Sequence, residues 1–286
     1  MTTTAPARVG VLGGGRMGAG IAHAFVLAGS RVTVIERDDD AADAAAGRIR
    51  ESLARSVDSG ATAHAFPDLD SALDTGVNAE LFGDCDLVVE AVPEDRRLKS
   101  EALLRAESAM PAASVLASNT SSISIDDLAT SLARPNLFLG LHFFNPVPAS
   151  TLVEVVVGSA TDAPCVAGAR DWVAAIGKTA VIVRDSPGFA SSRLGVLLGL
   201  EAIRMLEEGV ATAADIDAAM ELGYRHPAGP LRTTDIVGLD VRLGIAQELH
   251  EKLGDRFAPP ELLRSLVAKG HLGRKTGRGF YEWSQS

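Results

Sequence analysis

From Arg8 to about Arg184, short apolar runs alternate with amphipathic stretches, and after Ser186-Pro187-Gly188 that alternation stops. The first region has the rhythm of a Rossmann-type α/β fold, a mostly parallel sheet built from βαβ units. Strands are predicted at 8–12, 31–36, 86–91, 114–117, 137–142, 152–157 and 179–183, with helices at 17–28, 40–56, 97–108 and 164–176. Segment 86–91 (DLVVEA) reads as apolar on both faces, which suits a strand covered by helices on each side. From Phe189 onward no period-2 run remains. Leu194, Leu197, Leu198, Met205 and Leu206 recur near helical spacing, and further helices are predicted over 213–222, 234–253 and 260–269. The Pro-Gly pair therefore marks a boundary between an α/β dinucleotide-type domain, residues 1–186, and an all-helical domain, residues 187–286. Residues 59–83, rich in Ala, Asp and Gly, carry no clear pattern.

A chain of 286 residues fits two domains, and 47% hydrophobic residues supply a sizeable core. A net charge of −10 argues against nucleic acid or an anionic membrane as the main partner, since both reward clustered Lys and Arg. Cys85 and Cys165 make neither a disulfide framework nor a structural zinc site, and no metal is expected. The start, MTTTAPAR, is polar and lacks the apolar segment of a secretory signal. No apolar run approaches the roughly 18 residues of a membrane helix. The expectation is a cytoplasmic protein.

The stretch RVGVLGGGRMGAGIAHAF places Gly13, Gly15 and Gly18 in a G-x-G-x-x-G arrangement between an apolar strand and an amphipathic helix. Gly13 permits the tight turn, Gly15 lets backbone approach a pyrophosphate, and Gly18 allows close packing of helix on sheet. The helix N-terminus adds N–H donors and a positive dipole end. Arg16 and Met17 sit in the same loop and are counted with the cofactor residues. Glu36 ends the next strand, where its carboxylate accepts from ribose hydroxyls and repels a 2′-phosphate. Arg37 follows it, but Asp38, Asp39 and Asp40 keep the local charge negative. NAD is favoured over NADP.

Three segments carry polar residues that packing does not demand: ASNTSS (117–122), LHFFNPVP (141–148) and LVEVVV (152–157). Glu154 stands in the middle of an apolar strand, and a buried carboxylate is costly unless paired. His142, on the neighbouring strand, is its natural partner. A carboxylate on one imidazole nitrogen fixes the tautomer and leaves the other for general acid–base work. His23, His64, His226, His250 and His271 have no such partner in view and are taken as structural or solvent-facing. Phe280, Tyr281 and Trp283 are expected to pin the tail to the helical domain. Arg274, Lys275 and Arg278 are expected to form a structured turn, since no strand precedes them.

Taken in order, GGGRMGAGIA, EAVPEDRRLK, ASNTSSISI, GLHFFNPVP, LVEVV, DSPGF and GRKTGRGFYEW resemble the NAD-dependent 3-hydroxyacyl-CoA dehydrogenases over nearly the whole chain. The resemblance implies that His142 takes the proton from the 3-hydroxyl while hydride leaves C3, with Glu154 orienting it. It implies that Ser121 hydrogen-bonds the substrate 3-oxygen and that Asn145 stands near the nicotinamide and the histidine. Glu94, Lys99 and Asn119 fall on the cofactor side. The helical domain is similar to one that dimerises and closes over the acyl group, so an acyl-CoA substrate and a homodimer are expected. Two departures stand out. Where the family usually reads P-G-F-x-x-N-R with a substrate-touching asparagine, this chain has Ser192. The excursion after the second strand offers Arg48, Arg50 and Arg55, then the uncharged Ser59-Gly60-Ala61-Thr62. A carrier-protein-bound or free 3-hydroxy acid therefore stands as the alternative substrate. A dinucleotide-binding fold without chemistry is set aside because His142, Glu154, Ser121 and Asn145 are all present.

Overall fold

A computed structural model describes residues 4–284; the first three residues of the polar start lie outside the described residues. The chain divides after Ser186 into two units. The first runs β1 (Arg8–Leu12), α1 (Arg16–Leu27), β2 (Arg31–Ile35), α2 (Asp39–Asp58), α3 (Phe66–Ser71), β3 (Leu73–Gly76), β4 (Leu87–Glu90) and α4 (Arg96–Ala109). It continues with β5 (Val115–Ser118), α5 (Ile125–Ala129), β6 (Phe138–Phe143), β7 (Leu152–Val157), α6 (Ala163–Ala175) and β8 (Thr179–Arg184). The second unit is helical: α7 (Ser191–Glu207), α8 (Ala213–Tyr224), α9 (Pro230–Val237), α10 (Leu239–Leu253) and α11 (Glu261–Ala268).

The eight strands form one sheet in the order β3-β2-β1-β4-β5-β6-β7-β8. Every neighbouring pair is parallel except β6 and β7, which run antiparallel. Central strands β4 and β6 are buried along their whole length: α1, α2 and α6 contribute Ile21, Phe25, Ile49, Leu53 and Val173 to a core with Val9, Val11, Leu87, Val89, Leu139 and Leu141, and α4 and α5 also pack on the sheet. Burying each such side chain fully is worth about 1.5–3 kcal/mol. The chain order reverses between β1 and β4, leaving the crevice at the carboxyl ends of the strands where open α/β sheets bind ligands.

In the helical unit, Val196, Leu200 and Ile203 of α7 pack with Leu231, Leu239, Leu249, Phe257 and Leu263. The tail is pinned to this unit by two buried carboxylates. Asp235 accepts from the backbone N–H of Phe280 and Tyr281 and from Trp283 Nε1, at 2.9, 3.0 and 2.7 Å. Asp217 accepts from Tyr281 Oη at 2.7 Å. Lys275 pairs with Asp240 and Arg278 with Glu282, so this basic segment is a structured turn.

Several sequence expectations need correction. The helix predicted over 234–253 is two helices, because Gly238 adopts a φ of 107° between α9 and α10. Apolar periodicity runs through the break since both helices face one core. The patternless stretch 59–83 holds α3 and β3. Strand β3 lies at the sheet edge and buries only Leu73, so it has no apolar alternation to read. His23, by contrast, is buried with Nε2 2.8 Å from Ser56 Oγ of α2, in keeping with a structural residue. Among the described residues, no helix is long and apolar enough to cross a membrane.

Candidate active site

The glycine loop leaves β1 with Gly13 at a φ of 96°, a left-handed conformation that favours glycine. A Cβ on Gly18 would lie 1.8 Å from the Gly13 carbonyl oxygen, so α1 docks against the loop only without a side chain there. Helix α1 starts at Arg16 with no side chain capping its N-terminus. Its first N–H groups and positive dipole end thus face the loop's side of the crevice, the arrangement a pyrophosphate needs. Glu36 sits at the end of β2. Its Oε1 accepts from Gly14 N at 2.8 Å, tying strand to loop, and its Oε2 accepts from Arg37 N at 3.2 Å. Arg37 is drawn to Asp38 at 2.9 Å, and Asp38 also caps α2 through Ala41 N. These residues fit the adenosine and diphosphate of a dinucleotide.

A cavity of about 870 Å³ runs from this loop across the carboxyl ends of β2, β4, β5 and β6. It is lined by Gly13, Gly15, Arg16, Met17, Glu36, Glu94, Lys99, Asn119, Ser121, His142 and Asn145. Three residues singled out in the sequence do not line it. Gly18 lies beneath the loop, Glu154 stands behind His142, and Ser192 is the second residue of α7 in the helical unit.

His142 and Glu154 are direct partners across the antiparallel β6–β7 pair. His142 Nδ1 donates to Glu154 Oε2 at 2.8 Å, and both side chains are buried. A carboxylate only accepts, so this bond holds the proton on Nδ1 and makes Nε2 the basic nitrogen. The Phe144 ring packs on the imidazole with centroids 4.5 Å apart. Asn119 Oδ1 accepts from Phe143 N at 2.9 Å, fixing the end of β5 against the end of β6.

The sequence pattern missed the network beside this pair. Glu90, fully buried at the end of β4, accepts from Lys99 Nζ at 2.8 Å, from Ser118 Oγ at 2.6 Å and from Val92 N at 2.6 Å. Lys99, equally buried, also reaches Glu94 Oε2 at 3.3 Å. Glu94 in turn accepts from Thr120 Oγ1 at 2.6 Å and from the backbone N–H of Ser121 and Ser122 at 2.9 and 3.1 Å. Burial pushes the Glu90 carboxyl up against the pull of Lys99. Burial would raise Glu94 too, but Lys99 and the donors on its oxygens outweigh it and hold that carboxyl below the usual range. The Ser-Asn-Thr-Ser-Ser loop is thus gathered by one anion whose charge is set by a buried ion pair. A charged residue at the end of an otherwise apolar run, with a lysine nine positions on, was the available signal.

Residues 8–186 match the family model described as "3-hydroxyacyl-CoA dehydrogenase, NAD binding domain", and residues 188–283 match "3-hydroxyacyl-CoA dehydrogenase, C-terminal domain". A 3-hydroxybutyryl-CoA dehydrogenase of Mycobacterium tuberculosis is 42% identical over 281 residues, covering 96% of this chain and 98% of the relative. The mitochondrial hydroxyacyl-coenzyme A dehydrogenase of Rattus norvegicus is 39% identical over 284 residues, covering 96% and 90%. Among solved structures, the (S)-3-hydroxybutyryl-CoA dehydrogenase of Ralstonia eutropha superposes with a TM-score of 0.94 at 35% identity, covering 98% of this chain and all of the other.

Proposed function

The chain belongs to the 3-hydroxyacyl-CoA dehydrogenase family, and we propose on that basis how its residues carry out the family's NAD-dependent oxidoreduction. The substrate is a short 3-hydroxyacyl-CoA of the (S) configuration, the class that the Ralstonia eutropha relative's name gives. Bound NAD supplies the hydride acceptor. In the oxidative direction the 3-hydroxyl proton would pass to His142 Nε2 as the hydrogen on C3 leaves with the C–H electron pair as hydride and C3–O becomes a carbonyl. Glu154 keeps Nδ1 protonated and stabilises the imidazolium that forms. Ser121 and Asn145 hydrogen-bond the substrate oxygen, and Ser192 contributes a further substrate contact. In the reverse direction the same Nε2 proton returns to the alkoxide.

The observation that carries this reading is the His142–Glu154 pair at 2.8 Å, placed on the wall of a cavity that also contains the glycine loop and Glu36. The enzyme is expected to work as a cytoplasmic homodimer. One observation favours a second acyl carrier. Arg48 donates to the Gly14 carbonyl, Arg50 pairs with Asp70 and Arg55 with Glu51, so the α2 arginines are engaged within the chain. The test is oxidation of NADH with acetoacetyl-CoA, run beside NADPH, free acetoacetate and a carrier-protein acetoacetyl thioester. Turnover with NADH and acetoacetyl-CoA supports the reading. Turnover with the carrier-protein thioester alone replaces CoA as the carrier, and silence with every substrate overturns the assignment.

A further inference from the structure

Lys99 of α4 stands between two carboxylates at unequal distances, with Nζ 2.8 Å from Glu90 Oε1 and 3.3 Å from Glu94 Oε2. It also reaches Glu90 Oε2 at 3.2 Å and the Val92 carbonyl at 3.1 Å, so its three N–H donors are taken up within the chain. The Glu90 oxygens accept further from Ser118 Oγ and Val92 N, both at 2.6 Å. Every one of these neighbours is a donor, the surroundings of a carboxylate rather than of a carboxylic acid. Glu90 is therefore the lysine's closer counter-ion, and both side chains are sealed from water.

Glu94 divides its oxygens differently. Oε2 faces Lys99, whereas Oε1 accepts from Thr120 Oγ1, Ser121 N and Ser122 N, with Ser121 Oγ at 3.3 Å. Burial would raise this carboxyl, but Lys99 and these donors outweigh it and keep it ionised at neutral pH. Neutral donors stabilise an anion without cancelling its charge. One cation between two carboxylates leaves one net negative charge, and it rests on Glu94, the half-exposed member that lines the cavity with Ser121 and His142.

We propose that Glu90 is a positioning residue: by taking up the charge of Lys99 it leaves Glu94 an uncompensated anion, which tightens binding of NAD+ relative to NADH. The nicotinamide ring is a cation in NAD+ and neutral in NADH, so an anion on this wall acts on the oxidised form alone. The proposal rests on the reading of Ser121 as the contact to the substrate 3-oxygen. Reacting atoms in a productive complex lie about 3–3.5 Å apart, which puts the hydride acceptor within roughly 10 Å of the Glu94 carboxylate. Across that distance, at the effective dielectric of a protein surface, one unit charge is worth about a five- to thirtyfold change in binding.

The experiment titrates NAD+ and NADH, without acyl substrate, into the wild type, Glu90→Gln, Glu94→Gln and Glu90→Gln/Lys99→Met, reading Kd by calorimetry. In Glu90→Gln the lysine is left to cancel Glu94, and the ratio of Kd for NAD+ over NADH is expected to rise about five- to thirtyfold. The double variant removes the cation as well and restores one negative charge, so its ratio returns to within about twofold of the wild type. Glu94→Gln keeps the buried pair and guards against a Glu90 variant that does not fold; its ratio rises by the same factor. Arg16, Glu36, Arg37, Glu101 and Arg105, which also line the cavity, are the same in every protein compared. A merely structural role for Glu90 would weaken both cofactor forms together, and an unchanged ratio in a cooperatively melting Glu90→Gln overturns the proposal. An unchanged ratio in Glu94→Gln overturns it equally, as does failure of the double variant to return toward the wild type. Ratios that shift as expected in a protein inactive on acetoacetyl-CoA overturn the reaction reading and keep the charge assignment.

Discussion

Glu154 Oε2 lies 2.8 Å from His142 Nδ1, and the two residues are cross-strand partners in the antiparallel β6–β7 pair of an otherwise parallel sheet. The reversal at β7 is what aims the carboxylate at the imidazole. In a parallel neighbour, residues twelve apart along the chain would not face each other in register, because a parallel connection needs a crossover of a dozen residues or more. The pair is therefore a product of strand direction as much as of residue type.

Replacing His142 by Gln keeps a side chain of similar reach but removes the base. Turnover of acetoacetyl-CoA is expected to fall about 10²- to 10⁴-fold, while the dissociation constant for NADH, measured by fluorescence titration, stays close to that of the wild type. Retained turnover would mean that another group moves the proton.

Glu154→Gln leaves a hydrogen-bond acceptor opposite Nδ1 but no charge to stabilise the imidazolium. A loss of about 10²-fold in kcat, smaller than for the histidine variant, is expected. An unchanged kcat would remove Glu154 from the mechanism.

Cofactor choice is predicted to turn on Glu36, whose carboxylate already spans Gly14 N and Arg37 N. Glu36→Ser removes a charge that repels a 2′-phosphate and leaves Arg37 beside the site. The ratio of kcat/KM for NADPH over NADH should rise about ten- to a hundredfold, read from paired initial-rate measurements. No change in that ratio would place the 2′ position elsewhere.

Glu94 gives a pH signature. Its folded carboxyl lies below the usual glutamate value of 4.5, held down chiefly by Lys99 against the effect of burial. Its contribution to stability is thus complete above 4.5 and is lost as pH falls through the lower folded value. Melting of the wild type and of Glu94→Gln, followed from pH 7 to pH 3, should show a gap that is widest at neutral pH and closes below about 4.5. A gap that is constant with pH would mean the anion is not what gathers Thr120, Ser121 and Ser122.

The tail is predicted to be a structural lock. Asp235→Ala strands two backbone N–H groups and the Trp283 indole N–H in a partly buried setting. A loss of about 3 kcal/mol or more in urea unfolding is expected, with little change in the m-value. Stability within a few tenths of the wild type would show that water replaces the carboxylate there.

Features that depend on neighbours along the chain were legible in the residues alone. Period-2 apolar runs placed β1, β2, β4, β5, β6, β7 and β8 to within a residue or so, because strand and helix repeats are written locally. The glycine loop was legible for the same reason: Gly13 needs a positive φ and Gly18 a missing side chain within six residues of each other. Other features required the folded chain. Strand β3 escaped notice because an edge strand with one buried residue has no alternation to display. The break at Gly238 escaped because both helices serve one apolar face. Glu90 looks like a stray carboxylate and Lys99 like a cofactor-side lysine until β4 and α4 bring them 2.8 Å apart out of water. Arg242 reads as an ordinary helical cation until the tertiary packing buries it against Gly195 and Gly199. Local periodicity sets the elements, but the energy of a buried charge depends on what long-range packing places beside it, and only the tertiary structure decides that.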